Sequence, residues 1–349
     1  QAGAYVQSEY VSALYLEEFI MSKVVRFHRI GGPEVLQIDD VDVRSPNAGE
    51  VRIKVKALGL NRAEAMYRLG QYTFTPEMPA TLGYEAAGTI ESVGPGVTEY
   101  AVGDEVNVIP AFSFADYGMY GELAVAPVHA LVRQPAGMTS VEAAGTWMQF
   151  VTAYGALVDI GNLQKGDTVL IRAASSSVGL AAIQIANILG AVPVALTRTS
   201  EKRQALLDAG AAHVIATQEQ DLVSEVNRIT AGAGARMAFD PVGGPEVANV
   251  LRALSYLGIF FQYGALDTAD MSIPVMEVLG KDLTIRGYQL FEITQDPERL
   301  DGAKAFITKG LQSGALRPLI AKVFPLAQIV DAHRFMESNA QIGKIAIEI

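Results

Sequence analysis

The stretch Gly166-Asp-Thr-Val-Leu-Ile-Arg-Ala-Ala-Ser-Ser-Ser-Val-Gly179-Leu-Ala-Ala-Ile-Gln-Ile-Ala-Asn-Ile-Leu-Gly190 decides the fold. Asp167 to Arg172 predicts a short strand, and Val178 to Gly190 an apolar helix stopped by glycine. Between them lie only small residues, Ala173 to Ser177. A diphosphate needs such a turn, because backbone N–H groups at a helix N-terminus must come close to it. Serine hydroxyls in the turn add donors or cap the helix. A common dinucleotide fingerprint has glycine where Ser176 stands, so the bare motif also fits a plain serine-capped helix. Its place, between the first strand and the first long helix of a βαβ unit, points to phosphate.

Outward from this turn, strands are predicted at Val192 to Thr197, His213 to Ala216, Met237 to Asp240 and Gly258 to Tyr263. Helical runs separate them, the first over Glu201 to Gly210. This alternation predicts a doubly wound parallel sheet. An NAD site would place an acid at the end of the second strand to bind the ribose hydroxyls. Here that strand ends Ala195-Leu-Thr-Arg198-Thr199-Ser, with no acid before Glu201. Arg198, Lys202 and Arg203 against Glu201 give this window a charge of +2, in a chain of net charge −11. That suits a 2′-phosphate, hence NADPH; solvated charges at a helix start are the plain alternative.

Toward the N-terminus the texture changes near residue 147, where Gln149 to Leu163 reads as a helix crossing between domains. Before it the chain is β-rich and dense in turns. Val51-Arg-Ile-Lys-Val-Lys-Ala alternates with period two, as a half-buried strand should. After about residue 287 a helix over Asp301 to Gly310 leads to a final strand, Gly343 to Ile349. Residues 1–20 hold three glutamates and no basic residue, unlike a secretory signal, and are read as an extension or cloning remnant outside the fold.

Composition narrows the function. The 349 residues suit two domains or three, at about 150 each. Half are hydrophobic, so a large core is available. Twenty-seven basic against thirty-eight acidic residues argue against nucleic acid or an anionic membrane as partner. The most apolar long stretch, Val247 to Leu266, carries Asn249, Arg252, Ser255 and Gln262, too polar for a lipid-facing helix. There is no cysteine, which excludes disulfides, a thiol nucleophile and thiolate metal sites; four scattered histidines do not suggest a metal cage. No metal site and a cytoplasmic location are therefore expected.

From Lys23 to its end the chain resembles the zinc-free quinone oxidoreductases of the zeta-crystallin type, in the medium-chain dehydrogenase/reductase superfamily. The residues that carry the resemblance are Gly32-Pro-Glu-Val-Leu, Gly59-Leu-Asn61, Gly83-Tyr-Glu-Ala-Ala-Gly88, Val93-Gly-Pro-Gly-Val97 and Gly103-Asp104. Ser175-Ser-Ser-Val-Gly-Leu-Ala-Ala-Ile-Gln184 and Asp240-Pro-Val-Gly-Gly244 continue it. It implies an α/β chain: a GroES-like β-rich domain over 21–147, completed by 288–349, and a Rossmann NADPH-binding domain over 148–287. The zinc-dependent relatives carry Gly-His-Glu where this chain has Gly83-Tyr84-Glu85, and a neutral phenol is a poor zinc ligand.

The same resemblance implies NADPH-dependent reduction of a quinone or α,β-unsaturated carbonyl, the product of hydride addition needing only one hydrogen-bond donor. Tyr72 is the expected donor; a tyrosine that merely walls the cleft is the alternative. Asn61, Thr152, Tyr263 and Gly264 are expected near the nicotinamide, Ser175, Ser176, Ser177 and Val178 at the diphosphate, and Arg198, Thr199 and Lys202 at the 2′-phosphate. Thr217 and Asn339 depart from a family tyrosine and arginine. Lys344 reads either as a charge near the cofactor or as a surface lysine. A homodimer is expected, with the apolar Ile259-Phe-Phe as its edge. Competing readings are an enoyl-thioester reductase and a low-turnover NADPH-binding sensor or structural protein.

Overall fold

The computed structural model describes residues 20–349, so the expected extension lies, but for Ile20, outside the described residues. Strands β1 (Ile20–Phe27), β2 (Leu36–Val43) and β4 (Ala80–Thr81) form a small sheet in the order β2-β1-β4. A second, seven-stranded sheet holds β3 (Glu50–Gly59), β5 (Ala86–Val93), β6 (Glu105–Val108), β7 (Leu123–Pro127) and β8 (Leu131–Arg133). The chain's last strands, β15 (Ile320–Pro325) and β16 (Lys344–Glu348), complete it, β16 lying antiparallel to β3 with Ala346 opposite Gly59. Strand β3 is more buried than its alternation predicts. With β5, β7 and β16 beside it, it buries even Arg52, whose guanidinium pairs with Glu91 at 2.7 Å.

Helix α1 (Arg62–Arg68) lies between β3 and β4, and helices α2 (Ser140–Ala144) and α3 (Trp147–Tyr154) follow the β-rich part. The expected helix over Gln149 to Leu163 is helical as far as Ile160: α3 runs without a break into a π-helical segment over Gly155–Ile160. Every residue of α3 is buried, as an all-round apolar helix must be.

The third sheet is entirely parallel. It comprises β9 (Thr168–Ile171), β10 (Val192–Thr197), β11 (His213–Ala216), β12 (Ala235–Asp240), β13 (Leu254–Gln262) and β14 (Thr284–Gly287), in the order β11-β10-β9-β12-β13-β14. Numbered within the sheet this is 3-2-1-4-5-6, the dinucleotide-binding order, in which the crevice opens where the order reverses, between β9 and β12. The dimer edge anticipated at Ile259-Phe-Phe is corrected here. Phe260 and Phe261 are fully buried and β14 covers β13, so β14 is the outer strand.

Helix α4 (Ser177–Leu189) packs on this sheet at close range. Gly179 permits it: a Cβ there would come within 2.7 Å of the Ala173 carbonyl oxygen and of Ala174 Cα. The turn beneath is tight enough that Ala173 takes a φ of +49°, a conformation alanine rarely adopts.

Candidate active site

A cleft of about 1570 Å³ runs across the β9–β12 switch point, larger than the roughly 300–1,000 Å³ of an ordinary small-ligand pocket. All twelve residues expected at the site line it. No histidine does.

At its centre is the turn after β9. Ser176 caps α4, its Oγ accepting from Gly179 N at 3.1 Å, so the plain capping reading of this serine is true. The N–H groups of Ser177 and Val178, in the first helical turn, have no acceptor within their own helix. Both residues line the cleft, as does Ser175. Arg172 ties the two sides of the switch point together, donating to Asp240 at 2.7 Å and to the Gly243 carbonyl at 3.0 Å.

At one end stand Arg198, Thr199 and Lys202. The Lys202 ammonium is held by the carbonyls of Asn339 and Gln341, both at 3.0 Å, and burial draws its pKa down. Among the described residues the Arg198 guanidinium has no hydrogen-bond partner. Sequence reasoning missed a third cation here. Arg62, from α1, lines the same cleft and donates to Asn339 Oδ1 at 2.5 Å and to the Met336 carbonyl at 3.0 Å. It brings a guanidinium to the side chain that stands in for the family's arginine.

At the other end lie Asn61, Thr152, Tyr263, Gly264 and Tyr72. Thr152 spends its hydroxyl proton on the Met148 carbonyl, 2.6 Å away, and offers only lone pairs outward. Tyr263 stacks on Phe239, ring centroids 3.9 Å apart. Asn61 is fixed from several directions, donating to Gly59 O, Glu64 Oε1 and Glu85 Oε1 at 3.2 Å each, while Lys344 Nζ donates to its Oδ1 at 2.5 Å. Lys344 is thus no surface lysine: it is 1% exposed and also pairs with Glu85. One buried cation faces two buried carboxylates, and burial pushes Glu64 up to about 8. Glu64 also closes a capping box with Asn61 at the start of α1.

Tyr72 is half-buried among Tyr67, Phe74 and Phe114, and burial raises its phenol. Its Oη lies 3.2 Å from that of Tyr84. The segment around Tyr288 to Glu292 closes this end of the cleft, a contribution with no local sequence signal. Tyr84, at the metal-ligand position of zinc-dependent relatives, is fully buried and stacked on Phe114. Among the described residues no three His, Asp or Glu side chains converge as metal ligands, and no helix is long and apolar enough to cross a membrane.

The polar groups of the cleft fit a phosphorylated dinucleotide: donors at a helix N-terminus and at a guanidinium unpaired among the described residues, with the buried, unpartnered amide oxygens of Gln262 and Gln341 as acceptors. Fold and cleft together define a medium-chain dehydrogenase/reductase. Residues 47–153 match the alcohol dehydrogenase GroES-like domain family and 177–307 the zinc-binding dehydrogenase family. The human synaptic vesicle membrane protein VAT-1 homolog is 30% identical over 319 residues, 87% of this chain and 80% of that one. A 2-haloacrylate reductase of a Burkholderia species is 30% identical over 335 residues, 94% of this chain and 98% of that one. The Escherichia coli quinone oxidoreductase structure, complexed with NADPH, superimposes with a TM-score of 0.85 at 29% identity, covering 94% of this chain and 100% of that one. The chain belongs to the zinc-free quinone oxidoreductase family of the medium-chain dehydrogenase/reductase superfamily.

Proposed function

We propose that the protein is an NADPH-dependent reductase of quinones or α,β-unsaturated carbonyls that works without a metal. The observation that supports this reading is one cleft that holds an open helix N-terminus and, among the described residues, an unpaired guanidinium toward one side and a phenol without a metal-ligand set at the other. When bound there, NADPH supplies a hydride. Arg198, Thr199 and Lys202 hold its 2′-phosphate, with Arg62 adding charge. The N–H groups of Ser177 and Val178, with Ser175 and Ser176, meet the diphosphate. Asn61, Thr152, Tyr263 and Gly264 orient the nicotinamide, Thr152 by accepting an amide N–H. Tyr72 donates its proton to the substrate oxygen as negative charge develops there. Residues 21–147 with 288–349 supply that acid, and 148–287 most of the cofactor site.

The test is NADPH consumption with naphthoquinones, alkenals and enoyl thioesters. Turnover confined to enoyl thioesters would make it a lipid-type reductase. Tight NADPH binding without turnover of any of them would leave the sensor reading.

NADPH is expected to bind about tenfold or more tightly than NADH at low salt, since charge-assisted hydrogen bonds contribute roughly 1.5–3 kcal/mol each. The Arg198→Ala, Lys202→Ala double variant should bring the two dissociation constants together. Arg198→Ala alone should account for most of the change, because Lys202 already spends its donors on main-chain carbonyls and Ser175. Equal wild-type constants would contradict the assignment.

The protein works as a cytoplasmic homodimer. Among the described residues its outer strand β14 pairs only with β13, and exposed Tyr256, Met276 and Leu279 on the neighbouring segments add apolar surface. Pairing of β14 across a two-fold axis would cover both. A monomeric mass by light scattering at micromolar concentration would refute it.

A further inference from the structure

The reaction described above uses the proton of Tyr72 but not the phenol behind it. Tyr84 is fully buried, its ring stacked on Phe114 with centroids 3.7 Å apart and set edge-on to Phe291. It does not line the cleft. Its hydroxyl has one partner among the described residues, Tyr72 Oη at 3.2 Å. Tyr72 differs in this respect, because it reaches the cleft, where water or substrate can take a proton.

The two hydroxyls share one hydrogen bond, so one must donate and the other accept. If Tyr72 donated, the Tyr84 proton would be left in apolar packing with no acceptor, a costly arrangement. If Tyr84 donates, both groups are satisfied. Burial also drives the Tyr84 phenol far above its ordinary pKa, so it keeps its proton. We propose that Tyr84 is a positioning residue that donates its hydrogen bond to Tyr72 Oη and thereby turns the Tyr72 proton toward the substrate.

This role rests on Tyr72 acting as the acid. As hydride from NADPH adds to the carbon β to the carbonyl, an electron pair moves onto the carbonyl oxygen. The Tyr72 O–H bond breaks and its proton passes to that oxygen, giving an enol that relaxes to the saturated carbonyl in water. The phenolate left on Tyr72 keeps the hydrogen bond from Tyr84 until a solvent proton restores it.

A double-mutant cycle tests the proposal. Tyr84→Phe keeps the ring and its stacking and removes one oxygen. It should lower kcat for an alkenal about five- to tenfold, the worth of one hydrogen bond, with the NADPH dissociation constant unchanged. Tyr72→Phe, Tyr84→Phe together should lose no more than Tyr72→Phe alone. Thermal unfolding gives a readout independent of activity. Tyr72→Phe strands the Tyr84 proton and should lower Tm, and adding Tyr84→Phe should recover part of the loss. A kcat for Tyr84→Phe within twofold of wild type would overturn the role. So would independent, multiplying losses in the double variant, a double variant less stable than either single, or a loss of NADPH affinity as large as the loss of kcat. Wild-type protein that reduces neither alkenals nor quinones would overturn the reading of the reaction and this role with it. Turnover by wild type beside an unaffected Tyr84→Phe would overturn the role alone.

Discussion

Tyr72→Phe is expected to lower kcat for alkenals by about 10²–10⁴-fold, the usual contribution of a well-placed general acid. NADPH affinity should barely change, since the phenol lies at the end of the cleft away from Arg198 and Lys202. Quinones should respond differently. Two oxygens share their incoming charge and the reduced product collects protons from water, so the loss there should be about tenfold or less, mostly through substrate positioning. Burial raises the Tyr72 phenol, which keeps it protonated and able to donate at neutral pH. A large and equal loss with both substrate types would give Tyr72 a general role in the site. No loss with either would reduce it to part of the cleft wall.

Lys344→Met should be the most destabilising single change at the site. Lys344 is 1% exposed, pairs with Glu85 and donates to Asn61 Oδ1. Removing one partner of such a buried pair costs about 3–5 kcal/mol, because the remaining charge has neither water nor counter-ion. For a chain of this size the fall in Tm should be on the order of 10 °C. The sign with pH follows from Glu64, whose carboxyl burial raises from an ordinary 4.5 to about 8. A carboxyl that prefers its proton when folded contributes stability that is complete below its unfolded pKa and is lost as pH rises through the folded one. Without the Lys344 cation this preference strengthens and the folded value rises further, so the gap between variant and wild type should widen above about pH 8, where the wild-type carboxyl ionises and the variant's keeps its proton. Replacing Glu85 by Gln in the same chain should recover part of the loss. A variant within about 2 °C of wild type at pH 8 would contradict the charge balance described here.

Much of this protein was legible without tertiary information. Asp167 to Gly190 announced strand, turn and helix because periodicity and small-residue turn chemistry act within a few residues. The observed bounds, Thr168–Ile171 and Ser177–Leu189, differ from the expected ones by one residue at each end. Arg198 and Lys202 were legible for the same local reason: they follow the second strand directly. A longer apolar run announced a helix but not its hydrogen-bonding pattern. Gln149 to Leu163 carried a helical pattern, but whether its second half stayed α-helical depended on packing: Gly155 lies so close to Tyr288 that a Cβ there would meet its hydroxyl at 2.0 Å.

The sequence by itself determined the parallel sheet, the small-residue turn after its first strand and the cationic end of the second strand, since each is written in neighbouring residues. Only the tertiary structure decided which side chains meet across the cleft. Arg62 reaches Asn339 across 277 positions and Lys344 reaches Asn61 across 283, and no spacing rule connects residues so far apart. Tyr72 and Tyr84 are twelve positions apart, yet their contact too depends on how the chain after α1 folds back. It also decided which strand lies at the edge of the sheet, because Ile259-Phe-Phe looks like an outer strand until β14 is seen covering it. A local pattern says that a side chain seeks burial; which surface buries it, and whether a charge goes with it, is set by the packing of elements distant in the chain.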